Sequence, residues 1–338
     1  MTITENISLK QYNTFGIEAR ASYFAEVSTT EEVKQIFDDS LTKELPKLIL
    51  GGGSNILFTK DFEGIVIKII SNSINIIEED NNNIFIKADA GTEWHNLVRY
   101  CVKKNYGGIE NLSLIPGSVG ASPIQNIGAY GQELKDSFYS LDGIFTETLQ
   151  EKTFYKDECK FGYRESIFKK ELKGKFIITS VTLKLNLHPT INTSYGTIEQ
   201  ELTKLAKNNY TISDVSEVIC KIRESKLPKP EDFGNAGSFF KNPEVYKTFF
   251  EDLKLDYPDL PFYPLNDKKV KIPAAWLIEN AGLKGMRTGT VGVHDRQALV
   301  IINYGGANGS DIINLKNYIK KIINKKYCID LEEEVNIV

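Results

Sequence analysis

The chain has 338 residues, 25% of them charged and 41% hydrophobic, with a formal net charge of −4 at pH 7. That length suits two or three domains with a sizeable core, and the near-neutral balance argues against a nucleic-acid surface or a basic membrane patch. Its three histidines (His95, His188, His294) and four cysteines (Cys101, Cys159, Cys220, Cys328) are scattered without a Cys-x-x-Cys pair, which gives little support to a histidine-based metal centre, a Ser-His-Asp hydrolase or a disulfide framework.

The N-terminus has no basic or apolar targeting segment and no apolar run approaches a membrane span, so a cytoplasmic protein with reduced thiols is expected. In chain order, residues 25–27 are predicted as a strand, followed by a helix over 31–38 capped by Thr29 or Thr30. A short apolar strand over 47–50 runs into Gly51-Gly-Gly-Ser-Asn55. Here a strand ends and bare backbone N–H groups can cradle a phosphate. The pattern is not G-x-G-x-x-G, which fails at Ile56, and not a P-loop, since no Gly-Lys-Ser/Thr follows. Taken alone it is as readily a tight turn. Strands are predicted over 64–70 and 84–88, joined through 74–77 and a solvent-facing turn at 80–83. The stretch 91–104 reads as a Thr-capped amphipathic helix with Trp94, Leu97, Val98, Cys101 and Val102 on its apolar stripe and His95 at its boundary.

The stretch 116–131, Pro-Gly-Ser-Val-Gly-Ala-Ser-Pro-Ile-Gln-Asn-Ile-Gly-Ala-Tyr-Gly, carries no charge. Its glycines Gly117, Gly120, Gly128 and Gly131 permit positive φ and expose backbone N–H groups, an anion-binding nest without a cation. Gln125 and Asn126 add amide groups able to read the edge of a flat heterocycle. A long uncharged loop inside a compact domain is more often functional than idle.

From 140 to 187 the pattern is β-rich and ends in a long strand over 175–187. Composition shifts near His188-Pro189, a candidate boundary. Helices follow over 197–208 and 212–225, the second capped by Ser213 and broken by Lys226-Leu-Pro-Lys-Pro230. Asn235 to Pro243 sets small residues before an aromatic-basic group, and Ser238 there is either a turn serine or a functional hydroxyl. A helix over 272–280 stopped by Gly282, a buried strand over 297–302 and a last helix over 311–324 complete the pattern. Leu331-Glu-Glu-Glu-Val335, as a lone feature, is a solvated acidic face.

Gly51-Gly-Gly-Ser-Asn55, the stretch 116–131, Phe161-Gly-Tyr-Arg164, Gly234-Asn-Ala-Gly-Ser-Phe-Phe-Lys-Asn-Pro243 and Leu331-Glu-Glu-Glu334 occur in this order after Asn13-Thr-Phe-Gly-Ile17. Together they resemble the UDP-N-acetylenolpyruvoylglucosamine reductase family, flavoenzymes of peptidoglycan synthesis, over nearly the whole chain. Tyr195-Gly196 resembles the longer form of that family, in which a tyrosine loop covers the substrate channel. The resemblance implies an α+β fold with a two-part FAD-binding domain of the vanillyl-alcohol-oxidase (PCMH) type. Its first part would be residues 1–67, joined by the C-terminal segment 329–338, and its second part 68–200. A smaller α+β substrate-binding domain would occupy 201–328.

The same resemblance implies FAD held by two loops. The first contributes Gly51, Gly52, Gly53, Ser54 and Asn55. The second contributes Pro116, Gly117, Ser118, Gly120, Ala121 and Ser122, with Gln125, Asn126 and Gly128 further on. Neither loop contains the histidine through which some proteins of this fold attach flavin, so FAD is expected to be non-covalent. NADPH would be the reductant and UDP-N-acetylglucosamine enolpyruvate the substrate, with a monomer as the working form. By motif position Arg164 would face the substrate carboxylate with Glu334 as its partner, and Ser238 would donate the proton. Tyr195, Lys226 and Asn242 match positions near the substrate diphosphate, and Tyr163, Arg223 and Lys241 are expected along the same channel. Two departures stand out: Gly52 where many relatives carry Glu, and Glu333 where many carry Pro. The alternatives are a flavin oxidase or dehydrogenase of the same fold acting on a hydroxy acid or lactone, and a non-catalytic flavin or nucleotide-sugar binding protein. Retention of Arg164, Ser238 and Glu334 speaks against both.

Overall fold

Apolar β-branched runs and alternating strands build a four-stranded and a five-stranded sheet in the N-terminal two thirds of the chain. The computed structural model describes residues 1–193 and 195–338. These divide into two units, each described on its own below. One comprises Met1–Ile7, Ala21–Gly52 and Phe62–Ser225, the other Ser8–Arg20, Gly53–Asp61 and Lys226–Val338.

The first unit holds a four-stranded sheet in the order Ile3–Ser8, Arg20–Val27, Phe62–Ile69, Lys47–Leu50. Phe62–Ile69 lies parallel to both of its neighbours. As an interior parallel strand it is covered on both faces, and accordingly Gly64, Ile65, Val66 and Ile67 are all buried. The helix Thr30–Asp38 buries Val33 and Ile36 in the same apolar cluster as Ala25, Val27, Ile65 and Ile67. Its cap is Thr29, whose hydroxyl accepts the Glu32 N–H at 3.1 Å.

A five-stranded antiparallel sheet follows, in the order Glu151–Tyr155, Phe138–Phe145, Phe176–Asn186, Asn83–Asp89, Ile74–Glu79. The helix Trp94–Lys103 packs Trp94, Leu97, Val98 and Cys101 into the core with Ile86, Val181 and Leu183. Trp94 is buried, and its indole N–H is satisfied by the Leu112 carbonyl at 2.9 Å. The expected Thr92 cap does not form. The N-cap residue is Glu93 without a side-chain cap, and no partner reaches the Thr92 hydroxyl among the described residues. The helices Gly196–Thr203 and Ile212–Lys226 form a further cluster through Ile198, Leu202, Val215, Ile219 and Ile222, with Tyr130 packed on it. The second of these helices is capped by Thr211 rather than Ser213. Thr211 Oγ1 accepts the Asp214 N–H at 3.3 Å, and the Asp214 carboxylate accepts the Thr211 N–H at 2.9 Å.

The second unit is built from short strands and three helices, Lys247–Asp256, Ala274–Asn280 and Gly309–Tyr327. Arg287–Thr288, Val291–Val293 and Ile301–Asn303 make one antiparallel sheet. A second one, of Glu244–Tyr246, Lys269–Lys271 and Tyr263–Pro264, has no counterpart in the sequence reading. Asn308 caps the long helix in a reciprocal pair with Asp311. At the C-terminus Asn336–Ile337 pairs in parallel with Ile56–Leu57, and Asn55 Nδ2 donates to the Glu334 carbonyl at 3.3 Å. Ladder pairing therefore joins residues 280 positions apart in this unit. The observed divisions differ from those expected: Ser8–Arg20 and Gly53–Asp61 group with the C-terminal region, and the break expected at 200–201 falls at 225–226. Among the described residues no helix is long and apolar enough to cross a membrane.

Candidate active site

In the first unit the strand Lys47–Leu50 ends at Gly51 and Gly52, which meet the start of the 116–131 loop. A Cβ on Gly51 would run into Ser118 Oγ, and one on Gly52 would stand 2.8 Å from the Gly117 Cα. Two loops thus approach as closely as glycine against glycine allows, and Gly117 itself has φ 113°. Among the described residues no protein acceptor takes the N–H of Gly52 or Gly117. Ser118 and Ser122 are buried, while Pro116 and Ala121 are exposed. Ser122 Oγ donates to the Val119 carbonyl at 2.7 Å, which leaves its hydroxyl a structural task. Bare backbone with unclaimed N–H groups fits the pyrophosphate of a dinucleotide.

Asn126 departs from its expected part. Its side chain is fully buried, with Nδ2 donating to Glu133 Oε2 and to the Gly162 carbonyl, each at 3.0 Å, while Oδ1 accepts the Lys135 N–H at 3.0 Å. An amide engaged on three sides does not read a heterocycle edge. It fixes instead a turn in which Gly162 and Glu165 exchange backbone hydrogen bonds around Tyr163 and Arg164. Arg164 sits at that turn with φ 54°, a left-handed backbone that a side-chain-bearing residue rarely adopts. Its Nη2 donates back to the Gly128 carbonyl at 2.7 Å, and its guanidinium carbon lies 5.6 Å from the centre of the Tyr163 ring. Loop and turn hold each other, and the expected residues Asn126, Gly128, Tyr163 and Arg164 come together. Gln125 is half-buried beside them in sequence.

Arg223, on the helix Ile212–Lys226, donates through Nε to the Leu114 carbonyl at 3.2 Å. Burial lowers its pKa, and the field of Arg164 adds to that while Tyr130 opposes it. Burial also raises the pKa of the Tyr130 phenol, against the pull of Arg223. Tyr195 is exposed and meets Tyr130 edge-to-face, ring centres 5.5 Å apart. Tyr130 links Tyr195 and Arg223, and the sequence reading passed it over as part of a glycine-rich loop.

In the second unit Ser238 follows Gly237, whose φ is 68°, and pairs across a β-bridge with Val300. The next residue is anchored on both sides: Phe239 N–H donates to the Leu299 carbonyl at 2.8 Å and the Phe239 carbonyl accepts the Glu334 N–H at 2.8 Å. Ser238, which precedes Phe239, and Glu334, which bonds to it, therefore border one fixed residue, and both are half-buried. The three glutamates are not one solvated face. Glu332 is exposed and pairs with Lys241 at 3.3 Å, whereas Glu333 is bound by Lys316 at 3.1 Å and Lys320 at 2.9 Å. Asn242 Oδ1 accepts the Ala274 N–H at 2.9 Å, and Lys226 is exposed. Gly53, Ser54 and Asn55 belong to this unit.

Residues 229–338 match the family model described as UDP-N-acetylenolpyruvoylglucosamine reductase, C-terminal domain, and residues 21–144 match that of an FAD binding domain. The UDP-N-acetylenolpyruvoylglucosamine reductase of Flavobacterium johnsoniae is 50% identical over 342 aligned residues, covering 100% of both chains. The chain belongs to this reductase family. A relative of the same name from Amoebophilus asiaticus is 48% identical over 338 residues, again covering 100% of both chains. The crystal structure of the reductase from Thermus caldophilus aligns with a TM-score of 0.71 at 24% identity, over 100% of this chain and 99% of that one, and shows a shared fold. Membership in the reductase family makes the chain an FAD-dependent oxidoreductase of peptidoglycan synthesis, with NADPH as the reductant of the family. It also removes the oxidase and the non-catalytic binding protein as competing readings.

Proposed function

We propose that this chain reduces UDP-N-acetylglucosamine enolpyruvate to UDP-N-acetylmuramate, with its roles distributed as the motifs suggest. FAD, bound without a covalent link by the backbone of the two glycine loops, supplies hydride transfer from NADPH to the β-carbon of the enolpyruvyl double bond. Negative charge then builds on the substrate carboxylate. Arg164 stabilises it, an electrostatic contribution of about 3 kcal/mol for a fixed donor. Glu334 orders that end of the substrate. Ser238 gives its hydroxyl proton to the carbon next to the carboxylate, where a carbanionic acceptor is basic enough to take it, and Lys241 assists. Lys226, Tyr195 and the amide nitrogen of Asn242 bind the diphosphate, with Tyr163 and Arg223 along the channel. The enzyme acts on this small molecule in the cytoplasm as a monomer.

What supports the chemistry most directly is the anchoring of Phe239 through both its N–H and its carbonyl, which gives Ser238 and Glu334 fixed backbone positions. A preorganised donor needs no rearrangement when the charge develops. Ser238→Ala tests this. Flavin reduction by NADPH should stay within about twofold of wild type, while reoxidation by the enolpyruvyl substrate slows by about 10²- to 10⁴-fold. Equal slowing of both half-reactions would remove Ser238 from the proton step.

A further inference from the structure

His95 takes no part in the chemistry above, yet its ring is committed to one backbone group. Leu114 has φ 58°, in the left-handed region that crowds any residue with a Cβ. Its N–H donates to His95 Nδ1 at 2.9 Å, and its carbonyl accepts from Arg223 Nε at 3.2 Å. His95 lies on the helix Trp94–Lys103 and Arg223 on Ile212–Lys226, so Leu114 is gripped from two helices. Two residues later Pro116 opens the glycine-rich loop, and the neighbour of His95, Trp94, donates its N–H to the Gly117 carbonyl at 2.9 Å.

We propose that His95 and Arg223 form a latch on Leu114 that fixes the entry of the 116–131 loop, making His95 a positioning residue for the FAD cradle. The inference rests on the reading of that loop as the cradle. The latch works only with a neutral imidazole. Nδ1 accepts the Leu114 N–H when it carries no proton, whereas both nitrogens of an imidazolium are donors. The charged groups acting on the ring are Glu93 and Arg99 of its own helix and Arg223 of the other. Burial holds the His95 pKa below the ordinary imidazole value, Arg99 and Arg223 push the same way, and Glu93 opposes them. A lowered folded-state pKa means that the unfolded chain binds the proton first. The stability it contributes is therefore complete above the ordinary histidine pKa of about 6.5, and the latch itself is lost as pH falls through the lower folded-state value.

The experiment follows amide hydrogen exchange of residues 112–120 in the full chain, with FAD and after its removal, together with the FAD dissociation constant from flavin fluorescence. His95→Leu removes the acceptor, whereas His95→Asn puts a carbonyl oxygen near the place of Nδ1 and does not titrate. At pH 7.5 His95→Leu should exchange this segment about tenfold faster and bind FAD about tenfold more weakly, as expected for an unsatisfied half-buried N–H. His95→Asn should stay close to wild type. As pH is lowered stepwise from 7.5 through the folded-state value of His95, after correction for intrinsic exchange, wild type should loosen and His95→Asn should not. Unchanged exchange in His95→Leu overturns the latch. If that variant does not fold, equal pH response of wild type and His95→Asn overturns it instead. Faster exchange with unaltered FAD affinity supports the latch and contradicts the cradle reading.

Discussion

Arg164 shows how one residue can be conspicuous in a sequence while its support is not. The motif Phe161-Gly-Tyr-Arg164 marks it, but its strained backbone is held by Asn126, whose amide spans the loop and the turn. Asn126→Asp should leave NADPH reduction largely intact and slow the substrate half-reaction at least tenfold. It should also lower stability by about 2 kcal/mol, because the carboxylate would face Glu133 and the Gly162 carbonyl where two donors now stand. Stopped-flow and thermal melts check the two parts. Gly52 is constrained by what a side chain there would meet. Here a Cβ meets the Gly117 backbone, which cannot swing aside as a side chain can. Gly52→Ala should weaken FAD binding about tenfold or more, measured by flavin fluorescence, unless the two loops part. The close approach of the two glycine loops was legible because bare backbone leaves a signature in composition, whereas Arg164, Ser238 and Glu334 were marked only by the family resemblance. The inward commitment of Asn126 and the tasks of Tyr130 and His95 were not, because each depends on a partner distant in sequence.

Among the elements, two strands kept the limits that their apolar runs set. The strand Lys47–Leu50 has the limits its apolar run predicts, and Phe176–Asn186 lies within one residue of the expected strand at each end. Strand Tyr263–Pro264 and its neighbours have only two or three residues each, too few for a period to register. Caps went astray where neighbouring hydroxyls competed: Thr211 prevails over Ser213 because Asp214 answers it from three residues on. Glu333 belongs at this scale too. It supplies a carboxylate that ties the segment before Glu334 to the helix Gly309–Tyr327. Burial pushes its pKa up, but the hydrogen bonds from Lys320, the backbone and Lys316 outweigh this, and the net value is lowered. A lowered carboxyl pKa gives stability that is present above the unfolded value of about 4.5 and lost as pH falls through the folded one. Glu333→Gln should cost about 1–2 kcal/mol at pH 7, and the gap from wild type should close as pH drops below about 4.5 in thermal melts.

For the whole molecule, the family and the two-part α+β organisation were legible, but the path of the chain between the units was not. The resemblance has the segment 329–338 join residues 1–67, and Asn336–Ile337 does pair in parallel with Ile56–Leu57, but Ser8–Arg20 and Gly53–Asp61 group with the C-terminal region instead. Such groupings are set by tertiary context, and no window of sequence contains them. The central claim is that the molecule passes hydride from NADPH to an enolpyruvyl ether. It is tested most directly by reducing the FAD-bound protein anaerobically with NADPH, adding UDP-N-acetylglucosamine enolpyruvate, and following the flavin absorbance. We expect rapid return of the oxidised spectrum with formation of UDP-N-acetylmuramate. Flavin that is reduced by NADPH but stays reduced in the presence of this substrate would contradict the account.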